Sequence, residues 1–266
     1  MDRKDVAYVI NTTPKYFYLL PLHLTLLQRY APSLRWPIYL ATEEPTHVLI
    51  AKLQLNFPEL RIIPLTQEQE GFLDSRFHAC KALPSHIQYV FPIQEDFLLE
   101  ARPMAEPIEE ALNLFDQNPT VHSARLMPCP GPRSEARFAN TFWRILDSNS
   151  DEMIFTYQAT LWRRSAYEAF MEKLCEYLNS MHLTPQQKNV MAIGNNIAEV
   201  QFGQDVLLGD KGTHLAWPRE GPQPNAVYLS PWPYRPTAVI KGKLQSWAEE
   251  LADREKVVIR TLPSLR

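Results

Sequence analysis

Glycine is scarce in this chain, and its distribution excludes two common kinds of phosphate-binding site. Only 8 of the 266 residues are glycine, and the first of them is Gly71. No glycine-rich loop can therefore follow a first strand, which excludes both the dinucleotide-binding fingerprint and the P-loop. If the chain binds a nucleotide, something else must hold its phosphates, and we expect a metal ion and basic side chains.

Cysteines, excess charge and long apolar runs are also few. Cys80, Cys129 and Cys175 are odd in number and far apart, so they predict neither a disulfide framework nor a zinc site. The net charge of −3 gives no basic surface for nucleic acid or an anionic membrane. No secretory signal is evident, and no apolar stretch approaches the length of a transmembrane helix. We expect a cytoplasmic protein with no nucleic-acid partner and no membrane span.

Strand and helix patterns alternate through the first half of the chain. Apolar runs predict strands at Val6–Asn11, Trp36–Ala41, Arg61–Leu65 and Gln88–Ile93. Helices are predicted between them at Tyr16–Tyr30, Thr46–Phe57 and Glu68–Leu83. This alternation implies parallel strand pairing with right-handed crossovers.

The second half is less regular. Helices are predicted at Pro107–Asp116 and Arg164–Asn179, with strand candidates at Val121–Met127 and Phe155–Leu161. Six prolines within Pro218–Pro236 predict an irregular excursion. The expected fold class is α/β: a Rossmann-type mixed, mainly parallel sheet flanked by helices, with an irregular proline-rich carboxyl-terminal part, in a single domain over residues 1–266.

An acidic pair interrupts two apolar runs at Gln94-Glu95-Asp96. Open α/β sheets bind ligands outside the carboxyl ends of their strands, where this pair is expected. A hard cation such as Mg²⁺ or Mn²⁺ prefers one or two carboxylates together with substrate phosphates. The alternative is a solvated acid at a strand end or a helix cap, although the apolar run Phe97–Leu99 follows at once.

Glu199 is the second candidate. A single carboxylate among apolar neighbours can have a raised pKa and act as a general base. A first-turn glutamate that complements the dipole of its helix is the more ordinary interpretation, and the residues alone favour it.

Lys241 and Lys243 flank Gly242 after an apolar run. Two compact point charges at such a turn can close over a diphosphate. An ordinary surface turn is an equally good interpretation of these three residues.

Gln158 and Trp162 pair an amide with an indole, which suits a sugar ring because one hydrogen-bonds hydroxyls and the other offers an apolar face. A sheet edge covered by aromatic packing is the more common case. His214, in Lys211–His214, is a further residue that can reach a ligand. The seven histidines do not fall into metal-ligand spacing in the sequence.

Together these residues resemble a family of glycosyltransferase-like proteins with the GT-A fold, found in bacterial polysaccharide loci and large DNA viruses. The resemblance rests on Val6–Asn11 with the later strand Trp36–Leu40, on Gln94–Leu99, on Gln158–Arg163, and on the Glu199 segment with the closing Lys241–Lys243.

The resemblance implies a glycosyltransferase that moves a sugar from a nucleotide-sugar donor to a glycan or another hydroxyl acceptor, with inversion, in polysaccharide biosynthesis. Residues 1–100 would be the nucleotide-binding half and residues 101–266 the acceptor-binding half. Asp96, with Glu95, would occupy the place of the Asp-x-Asp metal motif and bind Mg²⁺ or Mn²⁺, although Gln94 stands where the first acid is usual. Glu199 would be the catalytic base.

The same resemblance gives the donor and acceptor contacts. Asn11, Thr12, Thr13 and Glu43 would line the base and ribose, with Gln94, Lys241 and Lys243 also on the donor, and Gln158, Trp162 and His214 on the sugar or acceptor. Because the usual first acid is missing, an alternative is a catalytically degenerate module of the same fold that binds a nucleotide sugar or glycan without turnover.

Overall fold

The computed structural model describes residues 2–66, 71–127, 136–145, 155–189, 203–217, 230–235 and 237–259. Glu199, Cys129 and the larger part of Pro218–Pro236 lie outside these ranges, so the predictions made for them are not addressed by the structure.

An eight-stranded sheet forms the centre of the protein, in the order β3-β2-β1-β4-β8-β6-β9-β7. Its strands are β1 Val6–Asn11, β2 Ile38–Thr42, β3 Leu60–Pro64, β4 Tyr89–Gln94, β6 Val121–Arg125, β7 Trp143–Arg144, β8 Thr160–Arg163 and β9 Thr213–Ala216. Strands β7 and β8 run antiparallel to their neighbours, and the others share one direction. Two short antiparallel pairs lie outside the sheet: β5 Leu98–Leu99 with β10 Tyr234–Arg235, and β11 Val239–Ile240 with β12 Lys243–Leu244.

Helices cover both faces of the sheet. They are α1 Leu20–Tyr30, α2 Val48–Asn56, α3 Phe72–Lys81, α4 Ala105–Gln117, α5 Arg164–Ser180, α6 Pro185–Asn189, α7 Gly203–Gly209 and α8 Ser246–Glu255, and a 3-10 turn at Pro14–Leu19 leads into α1. Among the described residues, no helix is both long enough and apolar enough to span a bilayer.

Strand β1 shows why the sheet is buried on both faces. All six of its residues are buried. Its side chains alternate between two cores, with Tyr8 and Ile10 in the core beneath α1, α4 and α8, and Ala7 and Val9 in the core beneath α3 and α5. A strand covered on both faces needs a continuous apolar run, which is what the sequence of β1 provides.

The α/β class and the mainly parallel sheet predicted from the sequence are confirmed. The strand predicted at Phe155–Leu161 is wrong in its position, because β8 begins only at Thr160. The aromatic rings before it pack between helices instead: Phe155 lies 4.5 Å from Phe170 of α5, and Tyr157 lies 4.8 Å from Phe72 of α3, between ring centroids. These contacts hold the aromatic residues before Thr160 between helices, outside the strand ladder.

The described end of the proline-rich segment is anchored in the core. Trp232 and Tyr234 are fully buried, and Trp232 packs against Phe91 with ring centroids 4.8 Å apart. The backbone N–H of Met104 donates to Pro231 at 2.9 Å. Residues 230–235 are therefore part of the packed structure, whereas the prolines alone predicted an irregular excursion.

Replacing Trp232 by Ala tests this anchor. Loss of a fully buried indole should lower the free energy of unfolding by about 3–5 kcal/mol. Urea unfolding followed by circular dichroism measures the change. Trp247→Ala is the matched control and should cost less, because Trp247 is only partly buried. Equal losses in the two variants would contradict the anchoring role of Trp232.

Candidate functional site

Three parallel strands end side by side at one edge of the sheet. In the register of β1, Asn11 pairs with Ala41 of β2 on one side and with Gln94 of β4 on the other. The residues that follow these positions, Glu43 after β2 and Glu95–Asp96 after β4, therefore emerge at the same edge. The chain order reverses direction at β1, and such a switch point is where open α/β sheets bind ligands.

Glu95 and Asp96 are adjacent carboxylates in a buried turn. Glu95 is 8% exposed, and the turn closes through the N–H of Phe97, which donates to the carbonyl of Gln94 at 3.2 Å. Burial raises the pKa of Glu95, and repulsion from Asp96 raises it further. Burial likewise raises the pKa of Asp96, and the backbone N–H of Val239 and the charge of Arg76 offset only part of that rise. The pair is electrostatically costly by itself and suits a cationic ligand.

A buried histidine fixes the backbone of this turn. His23 of α1 lies 3.1 Å from the carbonyl oxygen of Glu95 through Nδ1, and 2.8 Å from the hydroxyl of Tyr8 through Nε2. Burial lowers the pKa of His23 to about 4, so the ring is neutral. Since a carbonyl only accepts, Nδ1 carries the proton and the Tyr8 hydroxyl donates to Nε2. No sequence pattern around His23 predicts this role.

A lysine-bearing hairpin covers Asp96. The backbone N–H of Ala238 donates to the Asp96 carbonyl at 3.0 Å, and that of Val239 lies 3.4 Å from its Oδ2. Strands β11 and β12 then turn through Lys241 and Gly242, whose φ angles of 50° and 73° suit a two-residue hairpin. The turn and Lys243 are exposed to solvent.

A third lysine reaches the same hairpin. The ammonium nitrogen of Lys15, on the 3-10 turn after β1, lies 3.5 Å from the position that a β-carbon on Gly242 would take. Lys15, Lys241 and Lys243 thus gather beside the acidic turn from opposite ends of the chain. Lys15 was not singled out in the sequence because a lone lysine beside Pro14 carries no pattern.

Arg76 supplies a buried cation. It lies on α3, is 6% exposed, donates to the carbonyl of Phe72 at 2.7 Å and stacks over the ring of the same residue. Its charge acts on both Glu95 and Asp96, and burial lowers its own pKa. An arginine on the face that also bears Leu73, Ala79 and Cys80 is the signal by which helical periodicity could have found it.

Gln158 and Trp162 share a cavity with the end of β4. Its lining includes Gln94, Arg76 and Tyr157 as well as these two residues. The hydroxyl of Tyr234 donates to the side-chain oxygen of Gln158 and accepts from the backbone N–H of Ala159 at 3.3 Å. The amide of Gln158 is therefore oriented by β10, the strand that leads to the lysine hairpin.

His214 lies elsewhere. It is the second residue of β9, is 5% exposed, and contacts Ser123 and Asp210. Across the sheet it is level with Trp162, and their ring centroids are 5.7 Å apart. Trp162 in turn pairs with Val90, four residues before Gln94, which corresponds to roughly 13 Å along a strand. The structure thus separates His214 from the acidic edge and leaves Glu199 outside the described residues.

Comparison with known proteins gives structural neighbours only. No protein-family model and no curated protein matches the chain. Residues 1–349 of TarS from S. aureus are 14% identical, with 83% of this chain and 59% of that chain covered and a TM-score of 0.48. The mannosyltransferase PcManGT from Pyrobaculum calidifontis, in complex with GDP-Man and Mn²⁺, is 15% identical, with 81% and 55% covered and a TM-score of 0.48.

A third neighbour carries a different name. The 4-diphosphocytidyl-2C-methyl-D-erythritol synthase from Anaerococcus prevotii is 12% identical, with 82% of this chain and 90% of that chain covered and a TM-score of 0.46. These neighbours are named for different reactions. The reaction of this chain is therefore argued from the residues of its own site.

Replacing Glu95 by Gln tests the electrostatics of the acidic pair. The folded-state pKa of Glu95 is raised, so its carboxyl contributes most to stability when protonated and that contribution is lost as the pH rises through the folded pKa. Without divalent ions, Glu95→Gln should therefore raise the free energy of unfolding relative to the wild type at about pH 8, by at least about 1 kcal/mol, and much less at about pH 5.

Urea unfolding of both proteins at the two pH values measures this difference. Glu59→Gln removes an exposed carboxylate and is the matched control, whose effect should be small at both pH values. If the difference in unfolding free energy between Glu95→Gln and the wild type does not change with pH, the folded protein does not disfavour the ionised form of Glu95.

Proposed function

We propose that the chain is a glycosyltransferase of the GT-A type that takes a sugar from a nucleotide-sugar donor and transfers it to a hydroxyl of a glycan or glycoconjugate. The observation that supports this most directly is the position of Glu95 and Asp96, buried carboxylates at the switch point of the sheet with lysines beside them. The site thereby offers carboxylates to a metal ion and ammonium groups to a diphosphate.

The donor set of the acidic turn fits Mg²⁺ or Mn²⁺. Within the described part of the chain, the buried Oδ1 of Asp96 has no hydrogen-bond partner, and the nearby amide nitrogen of Asn11 is likewise unpaired. Such oxygens suit a hard cation, and Asp96 with Glu95 would hold it together with phosphate oxygens. When bound, the ion would neutralise the diphosphate leaving group. Gln94 stands where a further acid is usual. More of the negative charge of the diphosphate is therefore left to be balanced by cationic side chains.

The three lysines and Arg76 would balance this remaining negative charge. As the glycosidic bond breaks, negative charge grows on the departing nucleoside diphosphate, so cations placed beside it stabilise the transition state more than the ground state. Lys241 and Lys243, on a hairpin tied to Asp96, would close over the phosphates, with Lys15 beneath Gly242. Arg76 would act from below the turn as a fixed, desolvated charge.

The remaining donor contacts follow from the strand ends. Asn11 ends β1 and is followed by Thr12 and Thr13, while Glu43 follows β2. This side of the edge would receive the ribose and base. Gln158 and Trp162 lie on the other side of Gln94 and are the proposed sugar contacts. The cavity that they line measures only about 10 Å³, so a sugar would enter it only after the lining side chains move apart. Residues 1–100 would thus form the nucleotide-binding half and residues 101–266 the acceptor-binding half.

For the acceptor we propose an inverting reaction with Glu199 as the base. A carboxylate that takes the acceptor proton while the hydroxyl attacks the anomeric carbon raises the nucleophilicity of that oxygen. The proton passes to Glu199, the new glycosidic bond forms, and the bond to the diphosphate breaks on the opposite face. Polysaccharide biosynthesis and a cytoplasmic location remain predictions of the sequence.

A second candidate is a degenerate module of the same fold that binds a nucleotide sugar or glycan without turnover. Gln94 favours it, because one acid of the usual metal motif is absent. The two candidates differ in a single measurement, the release of nucleoside diphosphate from a donor that the protein binds.

Asp96→Asn should abolish transfer. Removing the metal-binding carboxylate from the diphosphate corner is expected to lower the rate of donor turnover by about 1,000-fold or more, while the folded state persists. The measurement is nucleoside diphosphate release across common nucleotide sugars, with and without Mn²⁺, beside calorimetric titration of the same donors.

Asp253→Asn, which alters an exposed carboxylate of α8, is the matched control and should keep full activity. Undiminished turnover in Asp96→Asn would contradict the assignment of Asp96. Tight donor binding by the wild type without any diphosphate release would favour the degenerate module.

Glu199→Gln tests the base separately. The amide keeps the size of the side chain but cannot accept the proton, so the rate of transfer should fall by about 100-fold or more while donor affinity is kept. Titration of the donor and an acceptor-dependent transfer assay measure the two quantities. Near-normal transfer would rule out Glu199 as the base and leave the Asp96 assignment untouched.

A further inference from the structure

Three potential metal ligands meet at the edge of the sheet opposite the acidic turn. His122 is the second residue of β6, His214 is the second residue of β9, and Asp210 lies in the loop between α7 and β9. Their ligand atoms all lie within 4.8 Å of one another. The sequence did not predict this group. His122 and Asp210 are 88 positions apart and come close only because β6 pairs with β9.

Asp210 is the centre of the group. Its Oδ2 lies 2.5 Å from Nδ1 of His122 and 3.1 Å from Nε2 of His214. Burial alone would raise the pKa of Asp210, but the hydrogen bonds from the two imidazoles outweigh burial and hold the pKa well below its usual range. Burial lowers the pKa of His214. Carboxylate oxygens and imidazole nitrogens are both ligand atoms of zinc sites.

The local backbone is arranged to bring His122 to this position. A β-carbon on Gly212 would lie 2.0 Å from Nδ1 of His122, so only glycine lets the ring approach Asp210 along this path. The N–H of Gly212 also donates to the other carboxylate oxygen of Asp210 at 3.2 Å. The register of β6 shifts between Val121 and Ser123, which places His122 at an irregularity of the strand.

His214 has a partner on its other ring nitrogen. Nδ1 lies 2.8 Å from the hydroxyl of Ser123. That hydroxyl can donate to Nδ1 while Nε2–H bonds Asp210, or accept from Nδ1–H when Nε2 bonds a metal. A hydrogen bond of this kind orients the imidazole and is a usual accompaniment of metal-ligating histidines.

A cavity of about 170 Å³ opens beside the group. His122 and Asp210 line it together with Ser165, Lys173 and Phe170 of α5. Two imidazoles and one carboxylate leave a fourth tetrahedral position, which zinc sites fill with water or another ligand. The ammonium of Lys173 at this cavity favours an anionic or polarised oxygen there.

We propose that His122, Asp210 and His214 form a site for a divalent transition metal of the Zn²⁺ class, with its fourth position open to the cavity beneath α5. Binding would replace the two imidazole–carboxylate hydrogen bonds by three metal–ligand bonds. The spacing is close to what this exchange requires, because ligand atoms around tetrahedral zinc lie about 3.3 Å apart. The distance between Asp210 and His214 changes little and His122 moves back from Asp210 by under about 1 Å. The two imidazole nitrogens, within 4.8 Å of each other, close by no more than about 1.5 Å. The site is independent of the proposed sugar transfer.

The test is a titration of the full chain, stripped with a chelator, with ZnCl₂ by calorimetry and with CoCl₂ by visible absorption. The Asp96→Asn protein is the background, which removes the acidic turn as a competing metal site. We expect one bound metal per chain and, for Co²⁺, the intense visible bands of tetrahedral coordination. Weak bands typical of six oxygen ligands, or no saturable zinc binding, would overturn the proposal.

Three variants in this background identify the ligands. His122→Gln should weaken Zn²⁺ binding by more than about 100-fold, and Ser123→Ala by about 10-fold through loss of the outer hydrogen bond. Gly212→Ala keeps every ligand atom but displaces the His122 ring, and should weaken binding comparably to His122→Gln. His86→Gln removes an exposed histidine and should leave the affinity unchanged.

Circular dichroism confirms that each variant is folded before titration. His122 is chosen over His214 because its side chain is 23% exposed, against 6% for His214, so its replacement disturbs the core less. Unchanged zinc affinity in folded His122→Gln would show that the three side chains are only a hydrogen-bonded cluster.

Discussion

The burial of two adjacent carboxylates at the end of β4 is the constraint on which the rest of the site depends. Ionised carboxylates side by side in a protein interior repel each other and lose hydration, so a turn that keeps them must be held by other interactions. His23 bonds the carbonyl of Glu95, and the backbone of Val239 bonds Asp96. Arg76 then supplies a buried positive charge that acts on Asp96. Together these contacts preorganise an anionic corner that a cationic ligand would relieve.

The same corner explains why distant parts of the chain converge. Trp232 lies in the core against Phe91 of β4, and Tyr234 orients Gln158 and stacks on Phe97 at 5.2 Å. This anchor delivers the chain to the hairpin that bonds Asp96. A segment rich in proline can do so because it makes few ladder bonds and relies on buried aromatic rings for its position. The core packing of residues 230–235 therefore positions the lysines.

The sequence predicts those elements of the fold that are encoded by local patterns of apolar and polar residues. The strands β1 to β4 and their helices follow from apolar runs and helical spacing, and Glu95–Asp96 stood out because charge interrupted such a run. The short pairs β5–β10 and β11–β12 have no such pattern, since each has two residues per strand and depends on contacts between distant segments. Arg76 and His23 acquire their roles from tertiary burial, which one sequence does not display. The strand expected from Phe155 was displaced because aromatic packing on α3 and α5 outweighed strand propensity.

The two edges of the sheet offer ligands of opposite chemical character. At the carboxyl edge the donors are oxygens from Glu95 and Asp96, which suit hard ions that keep water and phosphate in their shell. At the amino edge two imidazoles accompany Asp210, and nitrogen ligands favour later transition metals. Each kind of ion would therefore bind at the edge whose ligand atoms it prefers.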